Sequence, residues 1–171
     1  ALSAWNWRSG TAVVPLRKPK ELPANMPDNG TNRNGPLNPQ LTGNVGLYYC
    51  CYRLSLLGWN VMPTARNARG VDIIAYSEDA SRFVGVQVKA LNKRNPVPLG
   101  TSLDKVMGDF WVIVNKLAAP APSAFVLLPT EVRERAHRGD KDGRVSFWLQ
   151  PAQYEDDTFR EAWDRIGHGS V

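Results

Sequence analysis

Three polar residues lie in two otherwise apolar segments of the chain. Asp72 is in the segment 71–76, and Gln87 and Lys89 are in the segment 83–90. Both segments are rich in β-branched residues, which predicts strands. Gln87 and Lys89 are two residues apart, so on a strand their side chains point to the same face. If the two strands pair as a hairpin, a carboxylate, a carboxamide and an ammonium group lie together at one edge of a sheet.

These groups suit the hydrolysis of a phosphodiester bond. The Asp72 carboxylate, the Gln87 amide oxygen and the Val88 carbonyl are hard oxygen ligands of the kind that bind Mg²⁺ or Mn²⁺. A bound metal ion polarises a phosphate and lowers the pKa of its water. Lys89 could orient that water or stabilise the charge that develops on the phosphate. The alternative is a polar face on a half-exposed hairpin, in which Asp72 forms an ion pair with Lys89.

Several side chains near these strands are candidates for binding nucleic acid. Residues 1–128 carry twice as many Lys and Arg as Asp and Glu, whereas residues 129–171 have a slight acidic excess. A basic region of this kind favours a polyanionic partner, and DNA is the one we expect. Asn44 could contact it if the first helix packs beside the site, with a capping or surface role as the alternative. Four loop residues could bind phosphates, with solvated loop charges as an equal alternative: Arg66, Arg69, Lys93 and Arg94.

The elements that must position these residues predict an α/β fold over residues 41–171. We expect a mixed central β-sheet flanked by helices, in the order α-β-β-β-β-β-α-β-α. Thr42 is the predicted N-cap of the first helix. Apolar residues at three- and four-residue spacings predict the helix itself: Val45, Tyr48, Tyr49, Tyr52 and Leu56. The predicted helices are 42–57, 129–136 and 157–166. The predicted strands are 59–62, 71–76, 83–90, 110–114, 124–128 and 145–149. A basic loop is predicted over 91–100 and a turn over 139–143.

The first forty residues have a different composition. Residues 1–40 are predicted to form an extended arm, because the stretch 15–39 is rich in Pro, Asn and Gly and has no apolar periodicity. Residues 1–25 could be an upstream extension, although Trp5 and Trp7 are typical of a segment that docks on something.

The two cysteines and the longest apolar runs indicate a cellular compartment. Adjacent cysteines rarely form a disulfide, so Cys50 and Cys51 are expected to be buried thiols in a reducing cytoplasm. No apolar run approaches the ~20 residues that span a bilayer, so no membrane partner is expected.

The block from Leu41 to Ala90 resembles the PD-(D/E)xK nuclease superfamily, which has the restriction-endonuclease-like fold. It is most similar to resolvase-like and uncharacterised bacterial members. In those proteins a helix precedes a Gly-aromatic turn, a strand, a Gly-x-Asp strand and a strand that ends in (Glu/Gln)-x-Lys. The segments that match, in order, are Gly43-Asn44-Val45-Gly46, Gly58-Trp59-Asn60-Val61, Gly70-Val71-Asp72 and Gln87-Val88-Lys89.

The resemblance implies a Mg²⁺-dependent endonuclease that acts on DNA, with Asp72, Gln87 and Lys89 as catalytic residues. It also leaves a homodimer open, since such enzymes commonly dimerise to cut two strands. Two positions depart from the pattern: Gln87 replaces an acid, and Leu47 stands where many relatives have a Glu. One alternative is therefore a non-catalytic nucleic-acid-binding relative with a degenerate site. Another is an interaction protein that uses the Pro-rich arm and the acidic tail.

Overall fold

The computed structural model describes residues 37–64, 70–117 and 119–170, all within one compact unit. The predicted arm therefore falls outside the described residues up to position 36, as do Arg66 and Arg69. The helices are α1 (Pro39–Leu56), α2 (Pro129–Glu134) and α3 (Pro151–Tyr154). The strands are β1 (Asn60–Pro63), β2 (Ile73–Tyr76), β3 (Phe83–Ala90), β4 (Val97–Gly100), β5 (Phe110–Asn115), β6 (Ser123–Leu127), β7 (His137–Lys141) and β8 (Arg144–Leu149). Short 3₁₀ helices cover Leu103–Lys105 and Trp163–Arg165.

The central sheet has five strands in the order β1-β2-β3-β5-β6. Only β3 and β5 pair in parallel, and the other neighbours are antiparallel. A second, three-stranded sheet has the order β4-β8-β7. One core cluster packs α1 against the central sheet, and another joins β5 and β6 to the second sheet and to α2 and α3. The predicted fold class, a mixed sheet flanked by helices, is confirmed. None of the described helices is long and apolar enough to cross a membrane.

Helix α1 packs on the sheet through a face on which three of the four buried residues are small. Its buried positions are four apart: Thr42, Gly46, Cys50 and Leu54. At Gly46 the helix lies so close to β3 that an added Cβ would be 2.4 Å from the Ala90 Cβ. The packing residues are therefore not the ones whose spacing predicts the helix. Val45, Tyr48, Tyr52 and Leu56 are exposed, and only Tyr49 of that set is half-buried.

The start of α1 differs from the prediction because the cap lies further upstream. Asn38, not Thr42, is the N-cap, and its side-chain oxygen accepts the Leu41 N–H at 2.8 Å. Pro39 occupies the first turn of the helix, where a main-chain N–H has no partner within the helix, so the missing N–H of proline costs no hydrogen bond. The Thr42 hydroxyl instead donates to the Asn38 carbonyl at 2.9 Å.

Two strands and the C-terminal segment also differ from the prediction. The predicted basic loop contains β4, and the predicted turn 139–143 overlaps β7, which a tight turn at Asp142 and Gly143 joins to β8. Both strands are held by pairing with β8, a partner that their own composition does not reveal. The predicted helix 157–166 is wrong, because this segment runs along β6. There the Val126 N–H donates to the Phe159 carbonyl and the Glu161 N–H to the Ala124 carbonyl.

Candidate functional site

Asp72 lies immediately before β2, at the point where that strand stops covering the edge of β3. Its main-chain N–H still donates to the Val86 carbonyl at 2.9 Å. Beyond that bond the carboxylate of Asp72, rather than its main chain, forms the hydrogen bonds with β3. Oδ2 accepts the Val88 N–H at 2.7 Å and a short hydrogen bond from the Gln87 side-chain amide. The carboxylate is therefore fixed in place by β3 itself.

On β3 the valines pack inward as the sequence predicts, although exposure does not alternate along the strand. Val86 and Val88 pack in the cluster beneath α1, and Gln87 and Lys89 alternate with them. Gln87 is 9% exposed, a low value for a carboxamide, and its NH₂ group donates to Asp72. Because the N–H and C=O groups of one strand residue point to the same side, the Val88 carbonyl points to the same open edge as its N–H.

Lys89 brings a half-buried ammonium group to this part of the sheet. Its Nζ lies 5.2 Å from the centroid of the Trp111 ring, within range of a cation–π interaction. Burial lowers the pKa of Lys89, and the nearby Asp72 carboxylate offsets part of that effect. Within the described ranges Asp72 and Lys89 form no ion pair, since the carboxylate is held by Gln87 and Val88 instead.

A groove opens between the first half of α1 and the uncovered edge of β3. It has a volume of about 250 Å³, enough for several water molecules or a phosphate group. Asn44 lies on its wall, as expected if the first helix packs beside the site. Leu47 also lies on the wall of the groove. The sequence pattern given above for the resembled nucleases has a Glu at this position, so the groove wall here is apolar where an acid was to be looked for. The lining residues are Gly43, Asn44, Leu47, Asp72, Val88, Lys89 and Ala90.

The flanking basic residues have different surroundings. Lys93 is exposed in the loop that follows β3. Arg94 donates through Nε to Glu155, a carboxylate that also accepts from Asn115. A phosphate would therefore have to compete with Glu155 for the Arg94 guanidinium.

One acidic residue that the sequence reasoning missed stands next to this region. Asp109 lies just before β5, and its carboxylate accepts the Gly85 N–H at 2.7 Å while its own N–H donates to the Gly85 carbonyl. Gly85 is two residues before Gln87 on β3. The Gly-Asp pair in front of an apolar strand, Gly108-Asp109, was the signal that could have identified it.

The donor atoms at the edge of β3 fit a hard metal ion that keeps most of its water ligands. They are one carboxylate, one carboxamide and one main-chain carbonyl, all oxygen donors of the class that Mg²⁺ prefers. The Gln87 amide now directs its NH₂ group to Asp72, and a half-turn of that amide would present its oxygen. Among the described residues no group of three or more His, Cys, Asp or Glu could hold a metal ion. One negative charge therefore predicts weak metal binding.

No family model and no curated protein matches the chain. The chain is similar to the solved structure of Archaeoglobus fulgidus Hjc, a Holliday junction resolvase from an archaeal hyperthermophile. The sequence identity is 14% and the TM-score is 0.42, over 63% of this chain and 90% of the resolvase. A likeness at this level carries no argument about the residues or the activity of this chain.

Proposed function

We propose that the chain is a metal-dependent endonuclease that hydrolyses phosphodiester bonds in DNA. The observation that carries the proposal is the meeting of Asp72, Gln87 and Lys89 at the uncovered edge of β3, beside a groove that can admit a phosphate. A carboxylate, a carboxamide and an ammonium group provide metal ligands and a cationic donor within one site. The proposed domain comprises residues 41–171.

In this proposal Asp72, Gln87 and the Val88 carbonyl hold Mg²⁺ or Mn²⁺. When bound, the ion supplies charge to polarise the phosphate and acidify a water. Asp72 is kept in position by the Val88 N–H, so its other oxygen can bind without rearrangement of the strand. Lys89 donates N–H groups to the phosphate or to the attacking water, and its half-buried position strengthens that interaction because less water screens it.

Further residues are proposed to bind the DNA around this centre. Asn44 on the groove wall would contact the backbone next to the cleaved bond, with Lys93 following β3. Arg66, Arg69 and Arg94 are proposed as additional phosphate contacts. The proposed compartment is the cytoplasm, where Cys50 and Cys51, both free, would stay reduced. Burial raises the pKa of the Cys50 thiol, which makes it an inert packing residue.

The proposal is tested by incubating supercoiled plasmid with the protein in Mg²⁺, Mn²⁺ or EDTA. The wild type should nick or linearise the plasmid in at least one metal and not in EDTA. Asp72→Asn and Lys89→Met should each abolish cleavage. Lys141→Met is the matched control, since it removes an exposed lysine on β7 away from the groove and should leave cleavage intact.

The second candidate function is nucleic-acid binding without cleavage. It is favoured by Leu47 on the groove wall and by the single carboxylate at the edge of β3. In that case the plasmid should be retarded on a gel at low salt and remain supercoiled even in Mn²⁺. Asp72→Asn should then leave the retardation unchanged.

A further inference from the structure

One part of the central sheet is covered on only one of its two sides. Towards α1, the residues Val61, Ala75 and Val84 of β1, β2 and β3 pack in the cluster beneath the helix. On the other side the second core cluster covers β5 and β6, and among the described residues it has no member from β1, β2 or β3. The side of β1, β2 and the first half of β3 that points away from α1 is therefore an open face.

Four side chains define this open face: Met62, Ile74, Tyr76 and Phe83. Met62 pairs with Ile74, and Tyr76 pairs with Phe83, across neighbouring antiparallel strands. Paired residues point to the same side of a sheet, as do residues two apart on one strand, so the four side chains lie together. Phe83 is 60% exposed, Met62 46% and Ile74 37%. Neighbouring exposed apolar side chains of this kind mark an interaction site.

The open face carries two aromatic rings that stack on each other. The ring centroids of Tyr76 and Phe83 are 5.8 Å apart, and their planes differ by 24°. Phe83 is the most exposed member of the open face even while it stacks on Tyr76, so a further flat group can pack against it. Nucleobases are flat groups, and they stack on exposed aromatic side chains of proteins that bind single strands.

The charges around the open face favour a base over a phosphate. The strands β1 and β2 contain no charged residue, and the only charged residue of β3 is Lys89. Phosphates bind to Lys and Arg, so the open face does not suit the backbone of a nucleic acid. The Asp109 carboxylate, which accepts the N–H of Gly85 two residues beyond Phe83, would repel a phosphate further. A nucleobase is neutral, and its flat surface is accessible only where the base is unpaired and unstacked.

The open face and the candidate site lie on the same strand. Gln87 follows Phe83 by four residues on β3, so its Cβ points to the same side of the sheet. The two positions are about 13 Å apart, at roughly 3.3 Å per residue. About four nucleotides of one strand span this distance, at roughly 3.4 Å per nucleotide. A base on Phe83 and a phosphate beside Asp72 and Gln87 would therefore belong to one short stretch of DNA.

We propose that the open face binds unpaired nucleobases, with Phe83 as the stacking platform. The DNA that occupies the site then has a single-stranded segment within about four nucleotides of the phosphate beside Asp72 and Gln87. The position of that segment next to a cleaved bond rests on the proposed function. Stacking on Phe83 requires neither a metal ion nor cleavage, so it can be measured separately.

The test is fluorescence anisotropy in EDTA with a labelled thymidine single strand of about 16 nucleotides and a labelled duplex of equal length. The wild type should bind the single strand more tightly than the duplex. Phe83→Ala and Phe83→Leu should each weaken single-strand binding at least about fivefold and leave duplex binding unchanged, because one base–aromatic stack is lost. Phe83→Trp keeps an aromatic ring and should bind as the wild type does.

The matched control is Tyr52→Ala. Tyr52 is an aromatic residue with the same exposed fraction as Phe83, 60%, but it lies on α1. Its replacement should change neither affinity. Circular dichroism verifies that each variant is folded before its binding is interpreted.

The salt dependence of binding separates stacking from charge. The slope of log affinity against log salt concentration reports the number of phosphate contacts. Phe83→Ala should keep the slope of the wild type while its affinity falls. The proposal is overturned if the wild type does not prefer the single strand, if Phe83→Leu binds as tightly as the wild type, or if Phe83→Ala changes the slope.

This proposal and the proposed endonuclease fail in different assays. A protein that prefers single strands through Phe83 but cleaves no plasmid in Mg²⁺ or Mn²⁺ contradicts the endonuclease and supports the open face as a base-binding surface. A protein that cleaves plasmid without a preference for single strands contradicts only the role of the open face.

Discussion

The contact between Gly46 and Ala90 yields a prediction with an internal control on the same helix. Gly46→Ala places a Cβ 2.4 Å from the Ala90 Cβ, about 1 Å closer than an ordinary contact. Both atoms are attached directly to main chain, so neither can rotate away and α1 must lift from β3. Overpacking of this kind costs about 1–3 kcal/mol. Replacing a helical Gly by Ala returns about 1 kcal/mol.

The expected net effect of Gly46→Ala is a loss of about 1–2 kcal/mol in the free energy of unfolding, since rigid main-chain neighbours place the clash in the upper part of that range. The corresponding fall in melting temperature is roughly 2–8 °C. Gly43→Ala is the control, because nothing lies within 4 Å of its added Cβ. That variant should gain about 0.5–1 kcal/mol from helix propensity alone.

Urea titration of both variants measures these free energies. The double variant Gly46→Ala/Ala90→Gly restores the spacing between α1 and β3. Its loss in the free energy of unfolding should be smaller than the sum of the two single losses by about 1–2 kcal/mol. If Gly46→Ala is as stable as the wild type, or if the two glycine variants change stability in the same direction, α1 does not pack on β3 as described.

Three further predictions concern the site and the segment that runs along β6. Lys89→Met should stabilise the protein at pH 7, because burial lowers the pKa of Lys89 and the charged ammonium group destabilises the folded state. In urea titrations this gain in stability should shrink as the pH rises through the lowered pKa of Lys89. A gain that stays constant with pH would contradict that cause. Leu47→Glu adds an acid to the groove wall and should tighten Mn²⁺ binding in calorimetry, whereas an unchanged affinity would show that a carboxylate at this position does not reach the bound ion. Glu161→Ala removes the carboxylate that accepts hydrogen bonds from Arg53, the Ala124 N–H and the Trp163 indole. In urea titration it should lower the free energy of unfolding by about 2–4 kcal/mol. The control Asp157→Ala removes an exposed carboxylate and should change that free energy by less than about 0.5 kcal/mol.

The strand β3 shows how far the sequence predicts this fold. Its bounds and the inward packing of Val86 and Val88 follow from the local pattern of apolar residues. Its pairing with the segment after Asp72, a condition at the level of the sequence, is seen in the structure. Asp72 itself was predicted within a strand, but β2 starts one residue later. Its carboxylate replaces strand pairing there, a tertiary arrangement that no local pattern specifies.

The packing face of α1 was not predictable from hydrophobic periodicity alone. Periodicity weighs large side chains, and here Val45, Tyr48, Tyr52 and Leu56 face outward while two small residues, Gly46 and Cys50, face the sheet together with Leu54. A close helix–sheet contact needs small residues, so the deciding information is the shape of β3 at Ala90. Similarly, β4 and β7 are polar or contain proline, and they become strands only because β8 lies between them.

The segment that runs along β6 has a consequence for shortened forms of the protein. Phe159 and Glu161 occupy hydrogen-bonding groups of β6 that would otherwise form an open sheet edge, and that strand is almost wholly apolar. Uncovered apolar edges pair with other chains and aggregate. A chain that ends before Phe159 would therefore be prone to aggregation, and it would also lose Trp163 and Ile166 from the core cluster beneath α1. Low yield of such a shortened chain would therefore reflect the open sheet edge and the weakened core, and would say nothing about the groove.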